Sequence, residues 1–215
     1  MSRALVGTSG WSYPSWRPAF YPADLDPAGF LAFYATRLTT VELNSTGYRL
    51  PSVEQFRRWA ALVPVGFTFA VKAPPGALRR LDALQDAVRA LGDRLGCVRL
   101  VVESPRDDGL VELLLGSSDP AIRWALDLRD PSWDGIEERL VAEGAIRVGD
   151  LETPSTWRYL RFRKTSYDEE RLVATAQRLV PHLARGEQLF AYFRHGETPT
   201  APRAAARLFA LLEQQ

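Results

Sequence analysis

Eight short apolar runs of strand type alternate along the chain with longer segments whose apolar residues recur at helical spacing. Few folds accept that alternation, because each strand must pair in parallel with another while the intervening helix returns the chain. The strand-type runs are residues 4–8, 40–44, 67–72, 98–103, 122–129, 145–149, 157–161 and 188–193. Helical stripes fall between them. Asp26-Pro27 opens one with Phe30, Leu31, Tyr34 and Leu38 on a face, and the capping box Ser52 to Gln55 opens another with Val53, Phe56, Ala60 and Val63. Leu81, Leu84, Val88, Leu91 and Leu95 mark a third, and Leu110, Leu113 and Leu114 follow the acidic cap Asp107-Asp108. Asp134 to Glu137 and Ser166 to Glu169 read as caps of two more, and Ala204, Leu208, Leu211 and Leu212 close the chain.

This pattern predicts an α/β fold, a compact (β/α)8 barrel of parallel strands forming one domain over residues 1–215. Residues 150–155 are too few for a crossover helix, so an irregular sector is expected between strands six and seven. An open doubly wound sheet is the competing architecture. Against it, the first strand runs into Gly7-Thr8-Ser9-Gly10-Trp11, which is neither a dinucleotide-binding turn nor a phosphate-binding loop.

Composition narrows the class further. With 46% hydrophobic and 25% charged residues the chain is core-forming, and no apolar run approaches the ~20 residues of a membrane span. Met1-Ser2-Arg3 leads into Ala4 without a secretory segment, so a cytoplasmic location is expected. A formal charge of +1 gives no global field for nucleic acid or membrane. The single cysteine, Cys97, reads as a core residue, and two histidines cannot build a multi-histidine zinc centre. His182 reads as structural and His195 as a weak catalytic candidate after strand eight. Lys72 and Lys164 are the only lysines among 27 basic residues, which draws attention to where they stand.

In a parallel barrel, alternate residues face the axis, and loops after the strand ends build the site. Thr40, Glu42 and Asn44 share the inward parity while Val41 and Leu43 face the helices. Lys72 is inward at the rim of strand three. On strand five, Trp124, Leu126 and Leu128 alternate with inward Ala125, Asp127 and Arg129. Glu103, Asp150, Arg161 and Arg194 stand at the ends of other strands, so charged groups are expected to converge on one mouth. Aromatic residues follow strand one. Trp11 and Tyr13 are candidate ligand contacts, Trp16 and Phe20 read as packing of a long loop, and Trp133 after strand five could also offer a ring face.

The same residues resemble the YecE-like family, also called domain of unknown function 72. Gly7-Thr8-Ser9-Gly10-Trp11-Ser12-Tyr13 with Trp16 and Phe20-Tyr21-Pro22 is similar to its opening signature. Thr40-Val41-Glu42-Leu43-Asn44-Ser45-Thr46, with Tyr48 and Pro51, resembles its T-V-E-x-N-x-T-F-Y motif, and Phe67 to Pro74 resembles F-x-F-x-x-K-x-P. Later motifs depart from it: Asp127-Leu128-Arg129-Asp130 stands for E-x-R-H, Arg161-Phe162-Arg163-Lys164 for R-x-H-G, and Phe193-Arg194-His195 for F-N-N. The resemblance implies a TIM barrel and no assigned activity.

The residues themselves point to an enzyme, a hydrolase or an isomerase, working at the barrel mouth on a small polar or anionic ligand such as a phosphorylated sugar or carboxylate. Glu42 and Asp127 are the candidate acid/base pair and Lys72 an electrostatic group, base or nucleophile. Arg129 and Arg161 would clamp anionic oxygens, with Asn44, Trp11 and Tyr13 contacting the ligand. No cofactor is required by the sequence. One alternative has Glu42, Glu103, Asp127 and Asp150 holding a divalent metal such as Mg²⁺ or Mn²⁺ in an isomerase or phosphodiesterase. Another is a non-catalytic ligand or nucleic-acid binding protein using Arg161, Arg163 and Lys164, with Arg57-Arg58 and Arg79-Arg80 read as solvated surface.

Overall fold

A computed structural model describes residues 4–194 and 196–214. Its strands are β1 (Ala4–Ser9), β2 (Thr40–Leu43), β3 (Thr68–Lys72), β4 (Leu95–Val102), β5 (Trp124–Leu128), β6 (Ile146–Arg147), β7 (Trp157–Phe162) and β8 (Gln188–Phe193). The helices between and after them are α1 (Phe30–Tyr34), α2 (Val53–Ala61), α3 (Leu81–Arg89), α4 (Asp108–Ser117), α5 (Glu137–Ala142), α6 (Glu169–Ala184) and α7 (Thr200–Glu213). All strand pairs are parallel, in the order β6-β5-β4-β3-β2-β1-β8-β7. β1 lies between β2 and β8, and the end strands β6 and β7 meet at a seam, so the sheet curls on itself into the expected (β/α)8 barrel, nearly closed.

The expected irregular sector lies between β6 and β7. The connection from 148 to 156 holds no helix, and at this seam the Gly149 amide donates to the Tyr159 carbonyl at 2.9 Å. β6 is therefore shorter than residues 145–149, since a strand with a ladder on one side only has fewer partners to extend it.

Side-chain parity divides the barrel into layers. Leu5, Ala70, Cys97, Ala125, Ile146, Trp157, Phe190 and Tyr192 fill the interior as one apolar cluster with Tyr159. The opposite parity, including Val6, Val41, Leu43, Phe69, Val71, Leu126 and Leu189, packs against the helical shell. Burial pushes the Cys97 thiol well above its ordinary range, consistent with a core residue.

Local signals were partly displaced. Asp107 caps α4 through the Gly109 amide at 3.0 Å and Ser52 caps α2 through Gln55 at 3.2 Å. Leu95 begins β4 instead of ending α3, because Gly92 takes φ +53° and turns the chain first. The cap of α6 is Asp168, two residues beyond Ser166, accepting from the Arg171 amide at 2.9 Å. α5 starts after Ile136 without a side-chain cap, and Asp134 pairs with Arg147 at 2.9 Å. A glycine turn displaced the signal at Leu95, a better-placed aspartate the one at Ser166 and an ion pair the one at Asp134.

Candidate functional site

Above the apolar interior the inward residues turn polar. Glu42 on β2 is fully buried, and both of its oxygens are taken. Arg99 Nη1 donates to Oε1 at 2.5 Å, Tyr159 Oη to the same oxygen at 2.6 Å, and Arg161 Nη2 to Oε2 at 2.9 Å. Arg99 also donates from Nε to Asp127 Oδ2 at 3.0 Å, so one guanidinium joins the two carboxylates. Asp127 in turn receives Arg129 Nε at 2.8 Å and Arg163 Nη2 at 3.1 Å. Fork-shaped donors suit this bridging in a way that a lysine ammonium would not.

Exposure rises toward the mouth. The side chains of Arg99 and Asp127 are 2% and 7% exposed, Arg161 is 12%, and Arg129 and Arg163 reach 35% and 42%. Lys72 joins the same field, its amine interacting with the charges of Arg99, Glu42, Arg161 and Asp127. Its side chain runs over Gly47, where an added Cβ would lie 2.9 Å from Nζ, and Nζ sits 5.5 Å from the ring centre of the exposed Tyr48. Five cations thus surround two carboxylates. Arg161 Nε is buried without a hydrogen-bond partner among the described residues.

These contacts set the protonation states. Burial alone would raise the Glu42 carboxyl, but the guanidiniums of Arg99 and Arg161 and hydrogen bonds from Tyr159 and Ser9 hold it below the usual range. Burial, then the Glu42 charge, pushes the Tyr159 phenol far up, so it remains a donor. Lys72 is lowered first by desolvation and then by Arg99 and Arg161, against the opposing pull of Glu42 and Asp127. The Tyr13 phenol is pushed up to about 12 by burial and by Glu42.

The fold therefore gathers Glu42, Lys72, Asp127, Arg129 and Arg161. Asn44, just past β2, stands beside them and lines an adjoining cleft of about 730 Å³ together with Trp11 and Tyr13. Trp16 is buried in the strand-one loop as packing, with its Nε1 donating to the Gly196 carbonyl at 3.1 Å. Trp133 is fully buried too and donates to the Ser104 carbonyl, so it offers no free ring face.

Glu103 and Arg194 are exposed past their strand ends and do not join the cluster. Asp150 is diverted at the seam, accepting from the amides of Glu152 at 2.8 Å and Thr153 at 3.2 Å. Among the described residues no three acidic, histidine or cysteine side chains converge as metal ligands, and the lone pairs of Glu42 and Asp127 face guanidiniums. The quartet considered for a divalent ion does not form a ligand set. His182 is buried with Nδ1 2.9 Å from Glu187, a structural contact, and His195 lies outside the described residues. No described helix is long and apolar enough to cross a membrane.

Sequence reading did not single out Arg99 or Tyr159, nor Arg163 as a partner of Asp127. A signal for Arg99 existed: it is an arginine inside the apolar run Cys97-Val98-Arg99-Leu100-Val101-Val102, with the inward parity of Cys97.

Eight parallel strands define a (β/α)8 barrel, and the arginine and carboxylate cluster lies toward the mouth where that class carries its sites. The chain belongs to the DUF72 family, described as protein of unknown function, which it matches over residues 5–215. Among solved structures it is similar to a DUF72 family protein of Thermotoga maritima, with TM-score 0.80 and 24% identity, covering 98% of this chain and 99% of that one. It is also similar to a DUF72 family protein of Enterococcus faecalis, with TM-score 0.71 and 13% identity, covering 98% and 97% of the two chains. These likenesses concern the fold. No curated protein matches the chain.

Proposed function

We propose that the barrel mouth binds a small anionic molecule, a phosphate ester or a carboxylate, and acts on it as an enzyme of hydrolase or isomerase type. The observation that carries this reading is the excess of cations: Arg99, Arg129, Arg161, Arg163 and Lys72 against Glu42 and Asp127. A partly exposed surplus of positive charge in a concave, low-dielectric site favours an anionic guest. Arg129, Arg163 and Lys72 are the cations positioned to meet it.

Division of labour follows from saturation. A buried carboxylate whose oxygens accept from two arginines and a tyrosine is a poor proton donor at neutral pH and has little lone-pair capacity left. Glu42 and Asp127 are thus better suited as positioning residues that orient the guanidiniums. Lys72 has no carboxylate within ion-pair distance among the described residues, and its lowered pKa enlarges its neutral fraction. It is the group suited to taking a proton from the bound molecule.

The test is calorimetric titration with inorganic phosphate, phosphorylated sugars and small dicarboxylates. Arg129→Ala is expected to weaken binding roughly tenfold, the lower end for a charge-assisted hydrogen bond. Lys72→Ala should abolish turnover of a bound substrate while leaving a folded barrel. Failure of every anion to bind at low salt would refute the reading.

One further observation favours a second reading. An open groove of about 640 Å³ beside the mouth is lined by Arg161, Arg163, Lys164, Arg171 and Arg178 and by no acidic side chain, although Asp168 lies 3.6 Å from Arg171. It is walled by the end of β7 and by α6. A nucleic-acid strand laid there would make binding fall with salt at a log–log slope of roughly −0.7 per phosphate contacted. A flat salt response of oligonucleotide binding would dismiss it.

A further inference from the structure

The anion site accounts for only one end of a ligand, and the neighbouring cleft has a different character. Trp11, after β1, and Trp59, on α2, meet edge to face with ring centres 5.4 Å apart at 87°. Both are held firmly. Trp59 packs on the fully buried Phe56 at 5.7 Å, the Trp11 carbonyl accepts from Tyr21 Oη, and the Gly10 amide donates to the Glu42 carbonyl at 2.8 Å. The cleft of about 730 Å³ lies within the range of small-molecule sites. Asn44, Gln55 and Arg58 supply its polar edge, and no acidic side chain lines it. Arg58, which the sequence suggested was ordinary solvated surface, therefore has a wall to serve.

Tyr13 and Asn44 sit where the two compartments meet. Tyr13 lines the cleft and also feels the charge of Glu42, while Asn44 stands just past β2, two residues after Glu42. Indole walls favour a flat ring, and the donors at the edge favour ring acceptors over a cationic ring. We propose that the Trp11–Trp59 cleft binds a planar, uncharged ring carried by the same ligand, so that the substrate class is an aromatic phosphate ester or aromatic carboxylate. This rests on the anion reading above.

The test is titration of the intact protein with inorganic phosphate, propyl phosphate, phenyl phosphate and 1-naphthyl phosphate, followed by calorimetry and indole fluorescence. Affinity is expected to rise along the series, with the naphthyl ester bound roughly ten- to a hundredfold tighter than inorganic phosphate, the range of ring stacking on aromatic side chains. In Trp59→Leu, which removes the ring but keeps apolar bulk, and in Ala28→Trp, which fills the cleft from an exposed edge position, that ratio should collapse to within about threefold. Phosphate binding with equal affinity along the series, or a ratio unchanged in both variants, would overturn the proposal while the anion reading stands. Absence of binding by every member would overturn both.

Discussion

Arg99 and Glu42 form an ion pair of 2.5 Å between β4 and β2, with side chains 2% and 0% exposed. Strand β3 lies between them in the sheet, so the pair spans the inside of the barrel and braces its curvature. The same guanidinium holds Asp127, which makes Arg99 the hub of the mouth.

Removing that hub should therefore be costly. Arg99→Ala removes the guanidinium shared by two largely buried carboxylates, and a loss of about 3–5 kcal/mol of stability is expected. Arg99→Lys should recover only part, since an ammonium cannot fork to both acids. Urea denaturation of the three proteins measures this, and an Arg99→Ala variant as stable as wild type would contradict the bracing role.

Acid sensitivity follows from the carboxylates. Burial would raise Glu187, but hydrogen bonds from Arg158, His182 and Arg185 hold it at about 2 against an ordinary 4.5. Glu42 is shifted in the same direction. A folded pKa below the unfolded one means the unfolded chain binds the proton first. The stabilisation is complete above pH 4.5 and is lost as pH falls toward about 2. Glu187→Gln should flatten the slope of stability against pH in that window, and an identical slope would show that the network does not titrate there.

Lys72 should be the more reactive of the two lysines. Its amine is desolvated and faces Arg99 and Arg161, whereas Lys164 is exposed. Pyridoxal phosphate with borohydride, an anionic aldehyde, should label Lys72 several-fold faster at neutral pH, and inorganic phosphate should protect it. Equal labelling, read by peptide mass spectrometry, would remove the basis for Lys72 as a proton acceptor.

Gly47 supports that reactivity by its lack of a side chain. A Cβ there would come within 2.5 Å of Lys72 Cδ and 2.9 Å of Nζ, a clash with a flexible chain and not with backbone. Gly47→Ala is expected to swing the amine out of the mouth, cutting the labelling preference while shifting the thermal midpoint little. Unchanged labelling would mean that Lys72 reaches its position by another path.

Much of this was legible in the chain itself. Period-two alternation in a parallel barrel leaves each residue only two directions, so the inward parity of Glu42, Lys72, Asp127 and Arg129 followed from sequence. The short connection before Trp157 likewise announced the seam. What alternation cannot state is which inward residues meet. In strand register Arg99 stands beside Lys72 and Ala125, yet its guanidinium reaches Asp127 two residues further along the neighbouring β5 and Glu42 two strands away on β2, because stagger and curvature bring these inward side chains together. Trp11 and Trp133 look alike as aromatics after strand ends, but packing buried one and left the other lining a cleft. The sequence determined the barrel and the direction of its charges. Closure alone decided their partners, since a contact across the barrel depends on the tilt of all eight strands and on no local stretch of chain.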